Sequence, residues 1–239
     1  MSSNDQEFVK EFEYQSEQEE EHWISVSDLM AGLMMVFLFI SIALMRSALN
    51  ERDKIQEVAV AYEQNQVAIY QALQNEFQKD LDKWGARIDR TTLSVEFFSP
   101  EVLFDQGKIK LKPKFKNILS DFFPRYLSVL KQFHNSIQEI RIEGHTSSIW
   151  NKYTTEDEAY FKNMALSQGR TRSVLEYVYK LNQIAPKRNW IKKTIAAVGF
   201  SSSHLKLDAD GQEDRQASRR VSFRIITNAE SQIRKIIKD

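Results

Sequence analysis

The sequence predicts one membrane-spanning helix, a helical linker and a C-terminal α+β domain. Three observations carry that expectation. An apolar run occupies residues 23–45, a proline-free amphipathic stretch occupies 46–91, and strand-like alternation is interleaved with helical patterns over 92–239. At 239 residues the chain suits one ordinary domain with added segments, and the part after the linker is long enough to bury a core.

Charge and composition narrow the function. Lys+Arg and Asp+Glu balance at 33 each, so no basic excess points to nucleic acid as a partner. The balance hides an asymmetry: residues 1–22 hold eight acids against one base, Lys10, a net of −7. Such a block reads as a solvated, poorly ordered tail. There is no cysteine, which excludes a disulfide framework and thiolate metal sites. His22, His134, His145 and His204 are too scattered for a metal site, and neither a metal nor a bound cofactor is expected.

Residues 23–45 form a helix about 34 Å long at 1.5 Å per residue, enough for a hydrocarbon core of about 30 Å. No charge interrupts the run between Asp28 and Arg46. A cleaved signal peptide would want a basic start and a small-residue cleavage site, and here an acidic block precedes the run. Asp28 is the residue that needs explaining, because an intramembrane carboxylate is costly and usually faces a partner or a water path. It lies only about 7–8 Å along the helix from Trp23, so the plain reading is that it marks the membrane interface. Ser25, Asp28 and Gly32, with Ala31 beside them, instead make a small, polar face opposite Leu29, Met30 and Leu33. Small residues permit close helix approach, so the face suits a dimer seam or a helical partner. An acid on such a face can carry an ion.

Within 46–91, apolar residues recur at Ile55, Val58, Tyr62, Ile69 and Leu73, then Phe77, Leu81, Trp84 and Ile88. This is an amphipathic helix, with a coiled-coil seam and packing on the following domain equally open. Gly85 ends or bends it. Residues 92–98 alternate as a strand, broken by Ser99-Pro100. Pro113 opens a helix to about residue 133. Residues 137–143 form a second strand, 155–183 a helix, and 194–198 and 219–226 two more strands separated by a polar loop at 201–217. Residues 228–238 read as a short final helix.

The domain carries a motif series in order: Phe104-Asp105-Gln106-Gly107, Leu111-Lys112-Pro113, Ile142-Glu143-Gly144-His145-Thr146, Asn163, Leu166-Ser167, Arg170, and Ser218-Arg219-Arg220-Val221. Across roughly residues 92–227 it resembles the OmpA/MotB C-terminal peptidoglycan-binding family. The resemblance implies a β-α-β-α-β-β core in which an aspartate after the His-Thr pair and an arginine ending the helical motif hold the peptide stem of peptidoglycan. The arginine match is Arg170, with Asn163 and Leu166 beside it. The aspartate match is Ser147, a departure from the pattern that implies weaker wall binding, different contacts to the wall, or an acid supplied by Glu156 or Asp157. Arg170 can offer a planar bidentate donor to a carboxylate. His145 reads as structural, and since no third group completes a triad with Ser147, no enzyme is expected.

A tail, a span with an early acid, a helical linker and a wall-binding domain together resemble the stator B subunits of ion-driven rotary motors. The run from Ser27-Asp28-Leu29-Met30-Ala31-Gly32-Leu33 to Ile40 resembles the ZorB family, stator-like components of Zorya anti-phage defence systems. That resemblance implies a dimer of this chain within a pentameric ring of a multi-span ZorA-like partner, with Asp28 alternately binding and releasing an ion. A proton needs one carboxylate only. Sodium would want further oxygens, which Ser25 or Ser27 could supply, and both ions stay open. A flagellar or transport stator and a passive envelope anchor are the alternatives. The flanking charges, Lys10 before the span and Arg46, Arg52 and Lys54 after it, would by themselves place the C-terminus inside. Long C-terminal domains translocate largely regardless of such bias. A wall-binding domain therefore implies a bacterial inner-membrane protein with its N-terminus cytoplasmic and its C-terminal domain periplasmic.

Overall fold

The structure is a computed structural model that describes the backbone of residues 3–98 and 100–228, and the side chains of Trp23 and of residues 26–98 and 102–228. The chain falls into two compact units, Met1–Glu57 and Val58–Asp239. The expected final helix begins at the edge of this range and lies otherwise outside the described residues.

Helix α1 runs Ser3–Phe77. Glutamate is a good helix former, and neither proline nor glycine occurs before Gly32, so the acidic block is helical where the sequence reading expected a poorly ordered tail. Among the described residues, α1 is the one helix long and apolar enough, by length and composition, to cross a membrane. Its apolar side chains, from Leu29 and Met30 to Leu44 and Met45, are exposed on all sides. That all-round apolar surface belongs in lipid.

The second unit begins inside the stretch read as linker. Ile69, Leu73 and Phe77 are fully buried in the same core as the sheet. Packing on the domain, the second of the two linker readings, is what these residues do. The division thus falls at 57/58, whereas the sequence reading drew it at 91/92. A buried face that recurs with helical spacing looks the same before a linker as inside a domain, which is why the periodicity could not place the boundary.

After the short α2 (Leu81–Trp84), Gly85 adopts φ 62° and ends the helix in the left-handed conformation that glycine tolerates best. The chain then makes a hairpin that the helical reading missed: β1 (Ala86–Asp89) pairs antiparallel with β2 (Ser94–Phe97). Next come α3 (Pro100–Leu103), α4 (Pro113–Leu130), β3 (Ile137–His145) and α5 (Glu156–Lys180). α6 (Arg188–Thr194), β4 (Ile195–Gly199), α7 (Arg215–Ser218) and β5 (Arg220–Thr227) follow. Proline at the start of α4 has no N–H to leave unsatisfied. Thr155 caps α5, its hydroxyl accepting from the Glu158 N–H at 3.3 Å, and three acids fill the first turn.

Among the described residues, five strands form one mixed sheet in the order β1-β2-β5-β3-β4, in which only β3 and β4 run parallel. The α+β class therefore stands, with β1 added in front of the expected β-α-β-α-β-β order. One face is apolar: Phe97 and Phe223 meet Phe122 of α4 with ring centroids 5.1 and 5.0 Å apart. Such edge-to-face aromatic contacts add to area burial in holding helix to sheet. The opposite face is polar and buried. Glu96 sits between Arg220 and Lys206, each 3.2 Å from the same carboxylate oxygen, and Arg87 reaches its other oxygen at 2.9 Å. Arg125 of α4 clasps the end of α1, donating to Glu76 Oε1 at 2.6 Å and to Asp80 Oδ2 at 3.0 Å while lying over the Phe77 ring.

Candidate functional site

Two glycines build the principal site. Gly144 of β3 and Gly199 of β4 are register partners, side by side on the sheet. A Cβ at Gly144 would lie 2.7 Å from the Ser167 carbonyl oxygen, and one at Gly199 only 2.4 Å from the Gln168 nitrogen. The pair makes a notch that lets the α5 backbone settle on the sheet. Gln168 and Ser167 then lock it: Gly199 N–H donates to Gln168 Oε1 at 2.8 Å and Ser201 N–H to Ser167 Oγ at 3.2 Å. This seating fixes where Asn163, Leu166 and Arg170 stand relative to the loop after β3.

The result is a cleft of about 520 Å³ whose lining includes Ser147, Asn163, Leu166 and Arg170, all four of the residues singled out in the sequence. The Asn163 amide donates to the Ser147 carbonyl at 3.1 Å, tying α5 to the loop. Arg170 is buried, with 8% of its surface exposed. Its Nε donates to the Lys108 carbonyl at 3.1 Å, and the guanidinium lies 4.7 Å from the Phe104 ring centroid. Burial, helped by the charge of Arg219, pushes the Arg170 pKa down to about 10. The group stays charged at neutral pH and is short of negative neighbours, a condition that a carboxylate ligand would relieve.

Sequence reasoning missed Arg219, Phe104, Gln106 and Trp150, which line the same cleft. The first three lie within quoted motifs, so their recurrence was the signal; Trp150, in an irregular loop, gave none. Glu156 and Asp157 do not line the cleft, since they stand in the exposed first turn of α5. The acid that reaches this loop is Glu213, whose two oxygens accept from the Ser148 N–H at 2.9 Å and the Ser148 hydroxyl at 2.5 Å.

His145 and Ser147 point into different spaces. His145 borders a second cavity of about 370 Å³ on the polar face with Glu143, Arg220 and Lys206. It stacks on Phe200 at 5.4 Å, and its Nε2 lies 3.4 Å from Glu143 Oε2. Burial is the main cause that lowers its pKa, with Glu143 opposing and Arg220 assisting. Among the described residues, no group of three or more His, Asp or Glu could hold a metal ion.

In the first unit, Asp28 and Gly32 share one face of α1, and a Cβ at Gly32 would meet nothing within 4 Å. Ser27 is exposed, and the Ser25 side chain lies outside the described residues.

Residues 103–220 match the OmpA family. Over 223 residues the chain is 60% identical to the Zorya protein ZorB of Escherichia coli strain Crooks, a match covering 93% of this chain and 95% of that protein. The chain belongs to the ZorB family. Among solved structures, the ZorB-family chain is similar to a MotB-like protein from Desulfovibrio vulgaris (21% identity, TM-score 0.47, 72% of this chain and 94% of that one). It is also similar to the cell wall anchor of the T6SS from Pseudomonas aeruginosa (17% identity, TM-score 0.44, 65% and 96%). A third similar structure is the periplasmic domain of Helicobacter pylori MotB (13% identity, TM-score 0.41, 61% and 83%).

Proposed function

We propose that this chain is the wall-anchored, single-pass B subunit of a stator-like, ion-driven rotary complex that acts in anti-phage defence. The observation that carries the reading is the match to ZorB, which extends through the apolar helix and the domain together rather than through the domain alone. In this reading α1 crosses the inner membrane with its N-terminus in the cytoplasm, and the C-terminal domain stands in the periplasm against peptidoglycan. Two copies sit inside a pentameric ring of a multi-span ZorA-like subunit.

Asp28 is the ion carrier. It binds a proton from one side as a ring subunit passes and releases it to the other, with sodium as the second candidate ion. The open Gly32 position beside it supports close approach of a partner helix. The cleft around Arg170 supplies the wall contact, holding the dimer still so that ion flow turns the ring against it.

The test is Asp28→Asn in the assembled complex. Protection against phage is expected to vanish while the complex still purifies at unchanged stoichiometry. Full protection by the variant would overturn the assignment of Asp28.

A further inference from the structure

Charge is what sets the 520 Å³ cleft apart. Of its twelve lining residues two are cations, Arg170 and Arg219, and none is an acid. The neighbouring carboxylates are committed elsewhere: Glu213 gives both oxygens to Ser148, and Asp105 pairs with Lys112 at 3.3 Å. At the position next to the His-Thr pair, Ser147 offers a neutral hydroxyl whose one hydrogen bond, to the Ile149 carbonyl, is long at 3.4 Å. Asn163 spends its amide N–H on the Ser147 carbonyl, which leaves Oδ1 as an uncharged acceptor. The remaining walls include Phe104, Leu166 and Trp150.

We propose that this cleft selects peptides that present carboxylates and whose amino groups are already in amide linkage, and that it discriminates against a free ammonium group. This deepens the wall-binding reading and rests on it. Two guanidiniums on one half-enclosed cavity attract carboxylates jointly and repel any cation that enters with them. An ammonium group would find neutral acceptors only and would lose hydration without an ionic partner. An amide N–H asks for one neutral acceptor, which Asn163 Oδ1 and the Ser147 hydroxyl provide. Desolvation of Arg170 adds to the preference, because a bound carboxylate restores what burial removes. In a bacterial wall, stems whose side-chain amine is acylated are those already cross-linked. The chemistry therefore favours mature, cross-linked wall over newly made, uncross-linked strands.

The experiment uses the full chain in detergent and an N-terminally acetylated stem tripeptide ending in diaminopimelate, prepared with its side-chain amine free or N-acetylated. Affinities are read by titration, alongside retention of the same protein on purified sacculi. The expected result is tighter binding of the acetylated form than of the free-amine form. Ser147→Asp should reverse the order, and Arg219→Gln should weaken both forms about tenfold. Equal or tighter binding of the free-amine form by the unaltered protein overturns the proposal, as does binding of neither form by protein that sacculi retain. Failure of sacculi to retain the protein would instead overturn the wall-binding reading itself.

Discussion

Arg170 is a structural group to which the proposed function also assigns recognition. Its Nε secures the Lys108 carbonyl and its plane covers Phe104, so the loop before α4 and the cleft depend on the same guanidinium. Arg170→Ala is expected to cut retention of the chain on sacculi by tenfold or more, as loss of a charge-assisted bidentate contact does. Arg170→Lys should recover little of it, because lysine lacks the planar fork. Retention equal to that of the unaltered chain in a pull-down would show that the cleft does not touch the wall. His145 makes a pH prediction. Its folded pKa lies below the value of about 6.5 it has in the unfolded chain, so the unfolded state binds more protons in the interval between the two. Stability from this group is complete above pH about 6.5 and is lost as pH falls through the folded value. Denaturant midpoints of the second unit should therefore drop on acidification through that window, and His145→Asn should flatten the dependence. Arg170, Asn163 and Leu166 could be named from the sequence because they stand at fixed spacing in a recurring motif. Arg219 also stands in a quoted motif, but its place in the same cleft as Arg170, 49 positions earlier, needed the fold.

Elements explain which expectations held and which did not. The start of α4 was readable in Pro113 and that of α5 in Thr155 with its following acids, because caps are local signals. Hairpin β1-β2 was not readable. Ile88 falls in step with the helical apolar positions before it, and only pairing with Val95 on β2 makes it a strand residue. Nor could the sequence show that Glu96, Glu143 and Arg220 are buried, since that burial comes from the 201–217 segment, whose Lys206 and His204 fold back over the sheet. Gly144→Ala tests the glycine notch. The added methyl meets Ser167 O at 2.7 Å and Thr171 Cγ2 at 2.8 Å, so α5 must shift. A loss of about 1–3 kcal/mol is expected from overpacking in denaturant unfolding. Leu73→Ala tests the assignment of the last turns of α1 to the domain core. A fully buried leucine there should cost about 2–5 kcal/mol of domain stability. An exposed coiled-coil seam would leave the domain's unfolding midpoint unchanged.

At the scale of the whole molecule, the chain joins a helix whose apolar surface suits lipid to a domain whose cleft suits an anionic peptide. Each part was legible in its own pattern, the first in an uncharged run and the second in a motif series. Their joint purpose is not written in either pattern, and comes from the ZorB match that spans both. A motor of this kind needs one carboxyl group that exchanges an ion with a moving partner and one anchor that does not move. In the proposed function, Asp28 and the Arg170 cleft are assigned those two roles. The most direct measurement is ion flux through the assembled complex reconstituted in proteoliposomes, comparing the unaltered chain with Asp28→Asn and Asp28→Glu. The account predicts flux abolished by Asn and partly retained by Glu, in complexes of the same composition. Undiminished flux through the Asn variant would contradict it.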